Sequence, residues 1–293
     1  MNPGDPGSAA RVAGIVILYH PQNSVLGNVR TFLPDVGILY VWDNSPGESL
    51  SIVGALQHLE KVDYMTEGGN AGVARPMNIA ARKAALEGYE FLLTMDQDSY
   101  ATDGMIPTML SLAGQDPSIG LISPYQLDRN VPLTPPPVDV ERMDAALTSG
   151  DLVRLDAHAR VGGFLEKLFI DYVDTEYCLR LRAGNLGVVR VNRAILSHAE
   201  GRHTSRKFFG VTVYPANHSP ARFFYRARNR LYLRRLYRDI FPEFIRRVDK
   251  LYWRTIIKML LYEEHRARKL VMACRGLNAF RRGDYSPVPT EWE

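Results

Sequence analysis

Four short apolar runs, separated by stretches of helical character, limit what this 293-residue chain can become. They are residues 12–19 (VAGIVILY), 37–42 (GILYVW), 62–65 (VDYM) and 91–95 (FLLTM). None has helical periodicity, and runs of that length suit strands buried on both faces of a parallel sheet. Between them, residues 22–33, 49–60 and 73–87 read as helices, the first ending before Pro34 and the alanine-rich third stopped by Gly88. Alternation this regular predicts an α/β fold: a mostly parallel sheet with helices on both faces.

Further along, residues 101–120 read as a helix and a strand edge, and the proline-rich stretch 128–140 as a loop. A short strand is expected after 145, then a glycine corner at Gly162-Gly163-Phe164 and a helix after Asp171 that Gly184 stops. Residues 188–191 make another strand leading to Leu196-Ser197-His198, and two or three basic amphipathic helices are expected from about 219. The Gly/Pro-rich residues 1–11 read as a disordered leader rather than a secretory signal, since they lack an apolar core. The organisation expected is therefore a leader (1–11), a main domain (12–218) and a basic helical extension (219–293). No run reaches the eighteen or so apolar residues of a membrane span. Cys178 and Cys274 stand far apart and fit a reducing cytoplasm.

Net charge is only +4, yet residues 222–282 hold 18 Arg and Lys against 5 Asp and Glu. That imbalance points to an anionic partner for the C-terminal part. Its run Arg222-Phe223-Phe224-Tyr225-Arg226-Ala227-Arg228-Asn229-Arg230, with Trp253 further on, reads as a basic aromatic helix face suited to an anionic membrane surface. The same pattern would suit a nucleic-acid backbone. Arg228 is in addition a candidate to face the active cleft and neutralise a diphosphate.

The chemistry-bearing residues fall at the ends of the apolar runs. The fourth closes on Asp96-Gln97-Asp98-Ser99, and alternation along a strand would aim both carboxylates the same way. Two acids at a strand's C-terminal edge form a hard-oxygen site for Mg²⁺ or Mn²⁺ bound to phosphate, or else a solvated turn. Asp43 closes the second run, where a carboxylate can accept hydrogen bonds from a base or ribose, or can form an Asx-turn. Gly68-Gly69-Asn70-Ala71-Gly72 opens a helix and can bring bare N–H groups to a ligand, though it lacks the P-loop Lys-Ser/Thr and could be an ordinary turn. Asn78 is within reach of the same ligand or is simply a surface residue. Asp171, Asp174 and Glu176 lie within six residues, and an acid among acids has a raised pKa and can take a proton from a hydroxyl. His198 is either a third metal ligand or structural.

The order Asp43-Asn44-Ser45, Gly69-Asn70-Ala71-Gly72, Asp96-Gln97-Asp98-Ser99, Gly162-Gly163-Phe164 and Asp171-Tyr172-Val173-Asp174-Thr175-Glu176-Tyr177-Cys178-Leu179-Arg180 resembles the inverting family 2 glycosyltransferases of GT-A (Rossmann-like) fold. More narrowly it is similar to the rhamnosyltransferase branch of bacterial surface polysaccharide synthesis, as is Arg226-Ala227-Arg228-Asn229. The resemblance covers roughly residues 12–235. It implies that Asp43 holds the base or ribose and that Asn70, Gly72 and Asn78 line the nucleotide pocket. Asp96 and Asp98 would bring Mg²⁺ or Mn²⁺ to the diphosphate, with His198 a further ligand. Asp174 would be the base, with Glu176 and Asp171 as competitors; Val173 stands where many relatives carry another acid. The partners implied are a nucleotide-sugar donor (dTDP-L-rhamnose), a lipid-linked glycan acceptor and an anionic membrane surface on the cytoplasmic side. No nucleic acid is implied, and a homo-oligomer contact is a further candidate. The competing readings are a nucleotidyltransferase, for which VAGIVILYHPQNS lacks a basic glycine loop, and a non-catalytic basic binding protein on an α/β scaffold.

Overall fold

The computed structural model describes residues 11–45, 47, 50–128, 136–198, 206–208, 211–213 and 218–289. The expected leader, apart from Arg11, and most of the proline-rich stretch (129–135) lie outside the described residues. The chain divides into two units. Met1–Phe164 with Tyr177–Ala199 form the first, Leu165–Glu176 with Glu200–Glu293 the second.

The first unit is built on a nine-stranded sheet. Strands β1 (Val12–Leu18), β2 (Ile38–Asp43), β3 (Val62–Met65) and β4 (Phe91–Asp96) alternate with helices α1 (Ser24–Phe32), α2 (Leu50–Gln57) and α3 (Ala74–Leu86). These four strands lie in the order β3-β2-β1-β4, all parallel. The parallel half is thus the part that the alternation foretold.

Beyond β4 the sheet is mixed. After β5 (Ser99–Ala101) and α4 (Met105–Ala113) come β6 (Ile119–Asp128), β7 (Val140–Arg142), β8 (Leu152–Arg154) and α5 (Leu155–Val161). Helix α6 (Val173–Ala183) and the long β9 (Gly187–His198) follow. β8 runs antiparallel between β4 and β6, β6 pairs parallel with β9, and β5 and β7 pair antiparallel with β9. The expectation of a mostly parallel sheet therefore holds for the first four strands and for the β6–β9 pair, while β5, β7 and β8 pair antiparallel. Strands of three residues, such as β5, β7 and β8, leave too short a pattern to declare their direction in sequence.

One face of the parallel half packs Val16, Leu18, Val41, Leu93 and Met95 against Val25, Val29 and Phe32 of α1 and Ile52, Val53 and Leu56 of α2. The spacing of Val25, Val29 and Phe32 makes a single apolar stripe along α1. Burying each such side chain contributes roughly 1.5–3 kcal/mol. On α3 the buried positions are mostly alanines, Ala74, Ala80, Ala81 and Ala84, with Met77.

The second unit contains α7 (Pro220–Tyr237), α8 (Pro242–Tyr262) and α9 (Arg266–Arg282), with a small hairpin of β10 (Arg206–Phe208) and β11 (Val211–Val213). Phe223 and Ala227 of α7 pack with Tyr252, Ile256 and Met259 of α8 and Ala273 of α9. A Cβ on Gly276 would lie 2.2 Å from the Phe224 carbonyl oxygen, so only glycine lets α9 approach α7 this closely. The Arg-aromatic run of α7, expected to face an anionic membrane surface or a nucleic-acid backbone, is largely internal: Phe223, Tyr225, Arg228, Asn229 and Arg230 are buried. Arg230 is neutralised by Asp249 of α8, which also binds Arg234 at 3.0 Å.

Candidate active site

Strand register brings three of the expected site residues to one rim of the first unit. Leu18 of β1 pairs with Asp43 on one side, and Ile17 pairs with Asp96 on the other. The two acids thus close the strands on either side of β1 at the same C-terminal edge, about 10 Å apart by two strand spacings. Ser99 pairs with His198, so the backbone of His198 stands beside the residue that follows Asp98. This edge is where open α/β sheets take their ligands.

Asp96 is exposed, and its N–H donates to Ser149 Oγ at 3.0 Å. Ser149 Oγ in turn donates to the buried Ser99 Oγ at 2.9 Å. The chain turns at Gln97 and Asp98 between β4 and β5, so strand alternation does not reach Asp98 as expected. What fixes the turn is Gln97, a residue sequence reading passed over. Its amide accepts from Tyr19 N and donates to Tyr19 O, both at 2.9 Å, while its own carbonyl accepts from Asn28 Nδ2 at 2.9 Å. An amide between two acids was the available signal, because an amide carries both a donor and an acceptor and can pair with both groups of a backbone at once.

Asp43 is buried. Its Oδ1 accepts from Ser45 N at 2.8 Å and Ser45 Oγ at 3.3 Å, and its Oδ2 accepts from Tyr64 OH at 2.8 Å. Burial and that bond push the Tyr64 hydroxyl up to about 12. The Asx-turn alternative is thus what the structure contains, and Asp43 organises the end of β2. Next to it stands Asn44, whose importance the sequence did not announce. Its Oδ1 accepts from Trp42 Nε1 (2.9 Å) and Ala71 N (3.0 Å), and its Nδ2 donates to Gly72 O (2.9 Å). Asn44 thereby ties the glycine loop to the sheet. Within that loop Asn70 Oδ1 accepts from Gly72 N at 2.9 Å, and Gly72 has a φ of 73°. Asn78, expected at the nucleotide, is buried and instead pairs with the Phe164 backbone, accepting from its N and donating to its O, both at 2.8 Å. Gly163, at φ 72°, has no room for a side chain: a Cβ would meet Asn78 Oδ1 at 2.8 Å. Asn78 therefore pins the glycine corner.

Among the described residues no three His, Cys, Asp or Glu side chains are grouped closely enough to hold a metal ion. Two carboxylates at an open rim still fit Mg²⁺ or Mn²⁺, which commonly rely on one or two protein carboxylates and take their other ligands from substrate phosphates and water.

In the second unit the three candidate acids have separate environments. Asp171 forms a two-pronged ion pair with Arg222, at 2.7 and 2.8 Å. Glu176 is buried and accepts from Tyr237 OH at 2.7 Å. Asp174, in the first turn of α6, accepts from Thr175 N at 2.6 Å and Thr175 Oγ1 at 3.2 Å. Desolvation raises its pKa above the ordinary carboxylate value, against the Thr175 hydrogen bonds, and the charge of Asp171 pushes the same way. A carboxylate raised in this way holds a proton at higher pH than an ordinary one. Arg228 is fully buried, and its guanidinium donates to Asn229 Oδ1, Ser286 O and Lys167 O, each at 3.0 Å. The diphosphate role expected of it gives way to a structural one, since its hydrogen-bonding edge is turned into the protein.

Residues 22–140 match the glycosyl transferase family 2. The matched stretch is less than half of the chain. It contains Asp43, Asn44, the glycine loop, Asn78, Asp96 and Asp98, while Asp174 lies beyond it. The dTDP-rhamnosyl transferase RfbF of Shigella flexneri is 28% identical over 244 residues, covering 77% of this chain and 80% of that protein. The crystal structure of S. aureus TarS 1–349 with UDP-GlcNAc superposes at a TM-score of 0.56 with 14% identity, over 94% of this chain and 93% of the other. That of GalNAc-T7 with UDP, GalNAc and Mn²⁺ gives 0.60 with 13% identity, over 95% of this chain and 57% of the other. At these identities the structural likeness is one of fold. It is the GT-A arrangement expected for a family 2 glycosyltransferase.

Proposed function

We propose that this chain is an inverting glycosyltransferase that moves L-rhamnose from dTDP-L-rhamnose to a hydroxyl of a lipid-linked glycan in cell-surface polysaccharide synthesis. The observation that carries the reading is the pair Asp96 and Asp98 at the C-terminal rim of the stretch that matches family 2. The donor is suggested by the likeness to a dTDP-rhamnosyl transferase. Asp174 takes the proton of the acceptor hydroxyl as its oxygen attacks the anomeric carbon. The bond from that carbon to the diphosphate oxygen breaks in the same displacement, which inverts the configuration. Asp174 needs no nucleophilic partner, unlike the two carboxylates of retaining glycosidases. Asp96 and Asp98, with His198 as a third candidate, would hold Mg²⁺ or Mn²⁺, which supplies positive charge where the departing diphosphate gains negative charge. The Asn44-tethered glycine loop, with Asn70 and Gly72, borders the nucleotide, and Asp43 shapes the turn beside it.

A lipid-linked acceptor calls for a place at the inner face of the membrane. Among the described residues no helix is long and apolar enough to cross one. Helix α8 offers a peripheral contact: Lys250, Arg254 and Lys258 make an exposed row at four-residue spacing. Beside it runs a second row, Trp253, Ile257 and Leu261, exposed by 55%, 55% and 60%. Each cation contributes about 1 kcal/mol near anionic lipid. The apolar row favours a bilayer over a nucleic-acid backbone, which gains nothing from it. Incubation with a panel of nucleotide sugars and Mn²⁺ tests the assignment: dTDP release should be fastest from dTDP-L-rhamnose, and preference for a different donor would overturn the choice of sugar.

A further inference from the structure

The backbone that leads into Asp174 is strained. Phe169 has φ 65° and ψ −66°, and Ile170 N donates to Leu168 O at 2.8 Å. Together these make a γ-turn of the rare hand, an unfavourable conformation for a residue with a side chain. Asp171 and Tyr172 then both adopt left-handed φ values, 61° and 65°, immediately before α6 begins. Three such residues in four positions each cost on the order of 1–3 kcal/mol and persist only where their surroundings over-determine them.

Those surroundings come from α7. Asn229 Nδ2 donates to the carbonyls of Leu168 (2.8 Å), Ile170 (2.9 Å) and Asp171 (3.0 Å), gathering the turn around one amide. Asn229 is itself oriented by Arg228 Nε, which donates to its Oδ1, while Arg228 also donates to the carbonyl of Lys167. Phe169 is stacked on Tyr225 with ring centroids 5.1 Å apart. Arg222 holds the Asp171 carboxylate. One face of one helix thus grips the turn at its backbone, its aromatic ring and its charge.

We propose that Asn229, oriented by Arg228, is a positioning residue: it holds the strained 168–172 turn in the form that presents Asp174 to the acceptor hydroxyl. The inference rests on Asp174 being the base. Relaxing the turn would let Asp174 drift and gain water, so that its proton affinity falls toward that of an ordinary carboxylate.

The test compares Asn229→Ala, and the milder Asn229→Ser in case alanine fails to fold, with Met259→Ala. The last opens a cavity between α7 and α8 without touching the turn. In the asparagine variants deuterium uptake over residues 165–176 should rise, turnover should fall by roughly 100-fold as expected for a misplaced catalytic group, and donor KM should stay within about twofold, since only uniform binding would move it alone. The acid limb of the turnover profile should move to lower pH. Met259→Ala should show none of these shifts. Unchanged uptake in both asparagine variants would overturn the strap. Raised uptake with unchanged turnover and pH profile would overturn the positioning role. A wild-type chain that transfers no sugar would refute the function instead, and the exchange comparison would still decide whether Asn229 holds the turn.

Discussion

Replacing Asn44 with alanine should unfasten the glycine loop, and its cost can be worked from the hydrogen bonds lost. Three groups lose their partner: Trp42 Nε1, Ala71 N and Gly72 O. Trp42 is 2% exposed, so its N–H is left without water and costs the full penalty of an unsatisfied buried donor, about 1–3 kcal/mol. Ala71 is partly exposed and recovers some hydration. The total expected is about 2–4 kcal/mol. In urea denaturation this appears as a lower midpoint with an unchanged slope. Because the loop borders the proposed nucleotide site, donor KM should rise in Asn44→Ala by more than turnover falls. A loss below about 0.5 kcal/mol, in the range of an ordinary surface substitution, would refute the claim that Asn44 ties the loop to the sheet.

Asp98→Asn should lower turnover by at least roughly 100-fold, comparable to removing a charge-stabilising group, and weaken the response to added Mn²⁺, with circular dichroism unchanged. Asp174→Asn should lower turnover by about 10²–10⁴-fold, as expected for losing a general base. Its stability should move the other way. The folded-state pKa of Asp174 is raised, so its ionised form weakens the fold at pH values above that pKa, and stability grows as pH falls through it toward the unfolded value. Asp174→Asn should remove that slope and be at least as stable as wild type at neutral pH, as read by denaturant titration. Ile257→Asp with Leu261→Asp should abolish flotation with anionic vesicles at moderate salt while leaving sugar transfer to a soluble acceptor intact.

The parallel half of the sheet was legible because its strands are apolar runs flanked by helices, and Val62–Met65 appears at the expected bounds. The mixed half was legible in part: strands after 145 and over 188–191 were expected, but tertiary contacts decide how strands as short as β7 and β8 pair. At the rim the acids were visible, whereas the residues that place them were not. Gln97, Asn44 and Ser149 act through backbone groups brought together by strand pairing, and no local spacing records that. Asn78 and Arg228 illustrate the reverse. Each has a side chain well suited to a ligand, but each binds carbonyls or N–H groups from distant parts of its own unit.

The most direct measurement is the anomeric configuration of the product formed from dTDP-L-rhamnose on a soluble acceptor mimic, followed by NMR during the reaction. A single displacement with Asp174 as base predicts a product opposite in configuration to the donor, and the signal should vanish in Asp174→Asn. Retained configuration, or undiminished transfer by Asp174→Asn, would contradict it.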